Sequence, residues 1–424
     1  MVIATGSPLA LDARASRAWL RRFARTTPGV VVVIAVVVAA SCILAGVLSA
    51  AALNGRIAEQ KAVLDRSEPF AYAAQNLYAA SSAADAAAAT AFLSGGDQTP
   101  LMRARYQQAL AAAASALADA TAGAPDADTR RELAQVSANL ATYAGLVEAA
   151  RANNVQGLPI GSAYLREASS WMQNNLLPGA EKIYAADLAR VDDAQRRVGS
   201  LPKAGLALLA CALAATAVGS AIMFRRTNRR FNLGLLVAAV LGVLVFVAII
   251  GSVRLAAADI ERGRIEGTAR FGQLAEARIL AQQARTDETL QLITRGDITA
   301  SEKSFDGHID DLVARIGSSS PAATEAVEMW VASHRRQVDA YRAGDYQEAV
   351  AQALGTDTGA SGAQFAAVEA SLRDAIEQSR ATMRGYVADA GRYLAWTPTA
   401  TLALMTLAAA AAVVGLWPRL REFL

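Results

Sequence analysis

The sequence predicts an all-α membrane protein with four transmembrane helices and two tandem extracytoplasmic antiparallel four-helix bundles, built as an internal duplication. Three observations predict it. Four apolar stretches, 28–53, 204–224, 233–255 and 394–417, carry no charge in their interiors, Arg254 lying at the end of the third. At roughly 20 residues or more each, with a rise of 1.5 Å per residue, they are long enough for a ~30 Å hydrocarbon core. Arginines cluster where these stretches would meet the cytoplasm. The long segments between them, 54–203 and 256–393, are rich in alanine and interrupted by only a few Gly, Pro and Asn clusters, which is the pattern of helices joined by short turns.

Composition and charge agree with a membrane protein. Of 424 residues 54% are hydrophobic, and the mean hydropathy is +0.25. Arg14, Arg17, Arg21, Arg22 and Arg25 form a basic tail (1–27). Arg225, Arg226, Arg229 and Arg230 form a short hinge (225–232), and Arg419 and Arg421 lie in a stub (418–424). Against Asp12 and Glu422 these predicted cytoplasmic parts sum to +9, which leaves −6 for the other side of a chain of net charge +3. The split predicts cytoplasmic N and C termini in a bacterial plasma membrane, with both bundles outside. It gives no reason to invoke nucleic acid, because the arginines flank apolar spans. Cys42 and Cys211 both fall inside spans, so neither outer domain is expected to hold a disulfide. Ala39-Ala40-Ser41-Cys42 has the form of a lipoprotein box, but the apolar run continues past it and favours an intramembrane cysteine.

Taken in order, the first outer segment should break at Ser94-Gly95-Gly96-Asp97, Ala122-Gly123-Ala124-Pro125 and Asn153-Asn154-Val155-Gln156-Gly157, giving four helices. Leu133, Val136, Leu140, Tyr143, Val147 and Ala150 are spaced 3-4-3-4-3, the spacing of a buried helix seam. Leu165, Ala168, Met172, Leu176, Ala180 and Ile183 mark the inner face of the fourth helix. The pattern returns near an offset of 200: Asp97 with Asp297, Tyr106 with Phe305, Leu133 and Tyr143 with Val331 and Tyr341, and Pro202 with Pro398. Preserved order with a drifting offset predicts duplication of a span–bundle–span unit. Phe305, Ile309, Leu312 and Ile316 form the second-helix stripe of the second copy. Its third helix should bury Val331, His334, Val338 and Tyr341, and a loop should span Gly355 to Gly362.

No catalytic set is evident. The two histidines are His308 and His334, and no His, Cys and carboxylate cluster has metal-site spacing. No metal or cofactor is expected, nor is enzymatic activity: the predicted cytoplasmic parts are too short to fold alone. His334 reads as a core or interface residue. The candidate extracytoplasmic recognition residues are Asp97, Arg151, Asn153, Asn154 and Arg166, since arginine flanked by amides suits a carboxylate or an acidic surface. Arg225, Arg226, Arg229 and Arg230 are the candidate contacts for a cytoplasmic partner or lipid. Pro178, Pro202 and Pro398 are candidate hinges, because proline inside a helix removes a backbone bond. A helix start is the competing reading of Pro202 and Pro398.

Membrane-anchored four-helix bundles resemble the periplasmic sensor modules of chemoreceptors and histidine kinases, except that this chain turns back at the arginine hinge. The whole layout, with Arg225-Arg226-Thr227, Arg230-Phe231-Asn232 and Gly161-Ser162-Ala163-Tyr164-Leu165-Arg166-Glu167-Ala168-Ser169, resembles the actinobacterial GlnX-type membrane signal relay proteins. That resemblance implies a relay in which an amino-acid-binding lipoprotein engages the chain outside and a serine/threonine kinase responds inside. The alternative is a structural or accessory scaffold subunit of a transporter or cell-envelope complex.

Overall fold

Alanine-rich segments fold as helices along the chain, and the breaks fall at capping residues. The structure, a computed structural model, describes residues 26–94, 100–227, 232–294 and 296–421, and no strand occurs among them. The helices are α1 (Thr27–Ala62), α2 (Glu68–Leu93), α3 (Pro100–Gly123), α4 (Ala127–Val155), α5 (Ile160–Trp171), α6 (Leu177–Gly199) and α7 (Lys203–Thr227). They continue as α8 (Leu233–Arg262), α9 (Arg270–Thr294), α10 (Thr299–Ile316), α11 (Pro321–Arg342), α12 (Tyr346–Leu354), α13 (Ser361–Ala395) and α14 (Thr397–Arg421). Asp126 caps α4 by accepting from Thr129 N at 2.7 Å. Ser320 caps α11 with Pro321 following it, and Asp345 caps α12. In each case the side chain satisfies a first-turn N–H that has no partner within its helix.

Wide π turns interrupt three helical runs, at Val63–Ser67, Met172–Leu176 and Gly263–Ala269. The first and last begin 200 residues apart, the same offset as the sequence pattern. The middle one has a visible cause. Pro178 cannot donate a backbone bond, and the turn just before it shifts to the wider pattern, with Leu177 N bonding Met172 O. Asn139 Nδ2 donates to Asn175 O at 3.0 Å, so a side chain of α4 satisfies a carbonyl in this turn.

The chain divides into two compact units, residues 1–59, 197–259 and 389–424 forming one, and 60–196 with 260–388 the other. Four helical runs, Pro28–Leu93, Ile160–Arg225, Leu233–Thr294 and Ser361–Pro418, contain windows apolar and long enough to cross a membrane, with mean hydropathies of 3.0, 2.2, 3.1 and 2.0. Within the first unit these stretches pack through small residues. A Cβ on Gly219 would come within 2.8 Å of Ile34, one on Gly242 within 2.8 Å of Leu213, and one on Gly46 within 2.8 Å of Met405. Gly234 and Gly415 meet backbone to backbone, and Ser49 Oγ donates to Gly205 O at 3.3 Å. Close backbone approach through small residues is how helices associate where lipid offers no hydrophobic driving force. Val33, Val36, Val37, Leu44 and Val47 remain exposed on the opposite face of α1, as a lipid-facing surface requires.

In the second unit the expected bundles share one core. Phe70, Leu77, Leu133 and Tyr143 of the first half join Phe271, Leu274, Trp330 and Leu372 of the second in a single hydrophobic cluster. Burying each such side chain is worth about 1.5–3 kcal/mol. The seam from Leu133 to Ala150, the face from Leu165 to Ile183 and the stripe from Phe305 to Ile316 are all buried. On α11 His334 and Val338 are buried as expected, while Val331 and Tyr341 are only partly so, and Trp330, Ser333 and Gln337 complete the buried face. The bulky indole takes the central slot, T-shaped on Phe305 at 5.5 Å. Of the expected Gly355–Gly362 loop, 355–360 is non-helical, with the short α12 before it, while Ser361 and Gly362 open α13.

Polar contacts tie the two halves together. Glu68, buried, accepts from Arg380 Nε and Arg384 Nη1, both at 2.7 Å. The Arg380 guanidinium lies 3.3 Å from the centre of the Tyr72 ring. Gln195 and Thr268 exchange hydrogen bonds at 2.9 and 3.1 Å, and Gln60 Nε2 donates to Val387 O at 2.7 Å. These contacts and the common core join the two halves.

Candidate functional site

Helical periodicity places Arg285, Glu288 and Thr289 of α9 on the inward face of the second half, where polar groups need partners from other helices. Those partners are supplied. Arg285 pairs with Glu288 and donates to Ala353 O at 2.7 Å. Glu288 also accepts from Ser361, from Trp330 Nε1 at 3.3 Å, and from His334 Nδ1 at 3.0 Å. Glu302 Oε1 lies 3.2 Å from His334 Nε2, an ion contact without the alignment of a hydrogen bond. The His334 ring stacks on Phe305 at 3.7 Å.

The electrostatics follow from this arrangement. Burial pulls the His334 pKa down, but Glu288 and Glu302 outweigh it and raise it to about 9, so the imidazole is charged at neutral pH. Burial likewise opposes ionisation of Glu288, and Arg285, His334 and Ser361 reverse it, lowering its pKa to about 2. The first half differs. Asp85, which stands 200 residues before Arg285, is buried among Tyr143, Ser169 and Gln173, with Ser169 Oγ donating to Oδ2 at 2.7 Å. With no cation beside it, burial raises its pKa to about 6. One half thus holds an ionic core and the other an acid poised near neutrality. Among the described residues no group of His, Cys, Asp and Glu has metal-binding geometry.

Of the sequence-predicted recognition residues, Arg151, Asn153, Asn154 and Arg166 are not among the partners of this cluster. Arg151 pairs with Glu148 at 2.8 Å within its own helix, and Asn153 Nδ2 bonds Ala149 O. Asn154 Nδ2 donates to Phe92 O at 3.1 Å, joining the end of α4 to the end of α2. Arg166 is exposed. Asp97, Arg229 and Arg230 lie outside the described residues; Arg225 is exposed at the end of α7, and Arg226 follows it in the helix. Pro202 sits in the non-helical step Ser200-Leu201-Pro202 just before α7, and Pro398 in the first turn of α14 after Trp396. At both places a missing N–H costs little.

Sequence reasoning placed His334 in the core but missed its partners. The available signal was Arg285 and Glu288 three apart, at positions that continue the 3-4 spacing of Leu274, Ala281 and Leu292.

No curated protein and no solved structure matches the chain. Residues 59–196, about a third of its length, match the family model of the Actinobacterial sensor domain. That segment is the first half of the compact helical unit, and together with four helices able to cross a membrane it supports a membrane sensor.

Proposed function

We propose that the protein is a non-enzymatic transmembrane signal transducer. It senses an extracytoplasmic nutrient, an amino acid presented by a binding lipoprotein, and relays its presence to a cytoplasmic serine/threonine kinase. The observation that carries the reading is the sensor-domain match at 59–196 inside a unit whose core continues into residues 260–388. A shift in the matched half strains contacts with the other, and helices from both halves lead into spans. The two halves are read as a duplication, a reading supported by the equal offset of their π turns. Both termini face the cytoplasm, and Arg225, Arg226, Arg229 and Arg230 present the inner contact. Any ligand that drives the relay binds two arrangements of the helices differently; a coupling of about 1–3 kcal/mol corresponds to roughly 5–150-fold in affinity.

The test is mild crosslinking in native membranes with and without added amino acids, followed by identification of what is captured. Amino-acid-dependent capture of a solute-binding lipoprotein and a kinase supports the relay. Constitutive capture of a permease, unchanged by amino acids, contradicts it and points to a scaffold.

A further inference from the structure

A half-open cavity of about 630 Å³ lies on the seam between the two halves of the helical unit. Its size falls in the range of small-molecule sites, about 300–1,000 Å³. Helices α2 and α3 of the first half form one wall, through Ala86, Ala87, Thr90 and Arg105. Helices α9 and α13 of the second half form the other, with Gly355 and Thr356 of the loop before α13 at its edge.

Four charged side chains line the cavity: Arg105, Arg285, Arg373 and Glu369. Glu369 is already committed, to Arg278 and to Gln282 Nε2 at 2.9 Å. Arg285 is fixed by Glu288 and the Ala353 carbonyl, with its guanidinium 5.5 Å from the centre of the Phe365 ring. Arg105 and Arg373 are different. Both are exposed, and among the described residues neither has an acidic partner, the polar neighbour of Arg105 being the Met102 thioether at 3.9 Å. Gln282 is 1% exposed, and because its Nε2 faces Glu369, its Oε1 is left without a donor. Helix α13 begins at this wall, with Gly362 against the cavity, and its positive end adds to the excess. A Cβ on Gly362 would come within 2.8 Å of Ala353 O and 3.5 Å of the Arg285 guanidinium, so the helix start is held close to the fixed cation.

Arg105 and Arg373, without an acidic partner among the described residues, call for an anion, and the guanidinium fork matches a carboxylate. The remaining surface is mostly alanine with Met102, Leu354 and the Phe365 ring, alongside the polar Thr90, Gln282 and Thr356, and the apolar part suits a hydrocarbon body that inorganic phosphate lacks. We propose that this cavity binds a small organic carboxylate, gripped by Arg105 and Arg373 above the fixed guanidinium of Arg285. Its walls come from both halves, so occupancy favours one arrangement of the halves over others. The proposal deepens the sensor reading and rests on it, because it supplies a direct ligand site within the sensing unit.

The test is calorimetric titration of the full-length protein in nanodiscs with acetate, succinate and glutarate, with succinamide and inorganic phosphate as comparisons. At least one carboxylate should bind saturably, and succinamide should not bind. The double variant R105Q/R373Q should weaken carboxylate binding at least about tenfold, the loss expected for charge-assisted bonds. Both arginines are exposed, so its unfolding transition should stay at the parent's temperature. Ala87→Leu, which fills the cavity without touching a charge, should weaken binding as well. No saturable binding of any of the three carboxylates overturns the proposal, as does binding undiminished in both variants or phosphate binding as tightly as the carboxylates. Carboxylate binding without partner capture would retain the site and remove the relay. Partner capture without carboxylate binding would do the reverse.

Discussion

His334 Nδ1 lies 3.0 Å from Glu288 Oε1, two buried and oppositely charged groups on α11 and α9. Removing one member of such a pair leaves the other charge buried and uncompensated, which costs about 3–5 kcal/mol. Glu288→Gln should therefore lower the unfolding temperature of the purified protein sharply. Ser361→Ala, which removes one neutral donor to the same carboxylate, should cost about 1 kcal/mol. Equal effects from the two changes would show that the ionic core is not what holds this half.

The pH dependence of stability should have two separable limbs. The folded pKa of His334, about 9, lies above its ordinary value of 6.5, so its contribution is full below 6.5 and is lost as pH rises through 9. Asp85 has a folded value of about 6 against 3.8, because burial penalises its ionised form. That penalty is absent below 3.8 and complete above 6. Each limb is worth roughly 3 kcal/mol. Unfolding temperatures measured from pH 4.5 to 9.5 should fall with rising pH. His334→Gln should flatten the upper limb, and Asp85→Asn should reduce the lower, which Asp187, also raised to about 6 by burial, shares. Glu288 acts in the opposite sense, losing its contribution as pH falls from 4.5 towards 2.

Within the spans, a Cβ on Gly234 would sit 2.3 Å from Ala411 O and 2.5 Å from Gly415 Cα. Gly234→Ala should push these helices apart and destabilise the protein by about 1–3 kcal/mol. Gly251→Ala, where nothing lies within 4 Å, is the matched control and should leave the unfolding temperature unchanged or slightly raised. Thermal unfolding in detergent reads both.

The proposed orientation is checked with single cysteines at Gln98 and Asp357 in a background lacking Cys42 and Cys211. Both should react with an impermeant thiol reagent on intact cells. Protection of either until lysis would place its half inside.

What was legible in the sequence was what apolar spacing encodes. The seam from Leu133 to Ala150 and the stripe from Phe305 to Ile316 are buried as their 3-4 periods require. Trp330 was not among the expected positions, because the offset pairs Leu133 with Val331, yet its indole fills the core. The polar interior was not legible. Asp85, Gln282, Glu288 and Gln337 interrupt the apolar pattern, and their burial is made tolerable by partners far along the chain. Pro178-Gly179 did mark a helix irregularity, but the relief comes from Asn139 on α4, which no local rule could supply.

The central claim is that an event on the helical unit reaches the inner ends of the spans. Pulsed electron–electron distance measurement between spin labels at Thr227, ending α7, and Arg421, ending α14, tests it most directly. The protein, without Cys42 and Cys211, is reconstituted in nanodiscs with the captured binding lipoprotein, with and without its amino acid. The account predicts a distance distribution that shifts when the liganded lipoprotein binds. An unchanged distribution at demonstrated saturation of binding would contradict it.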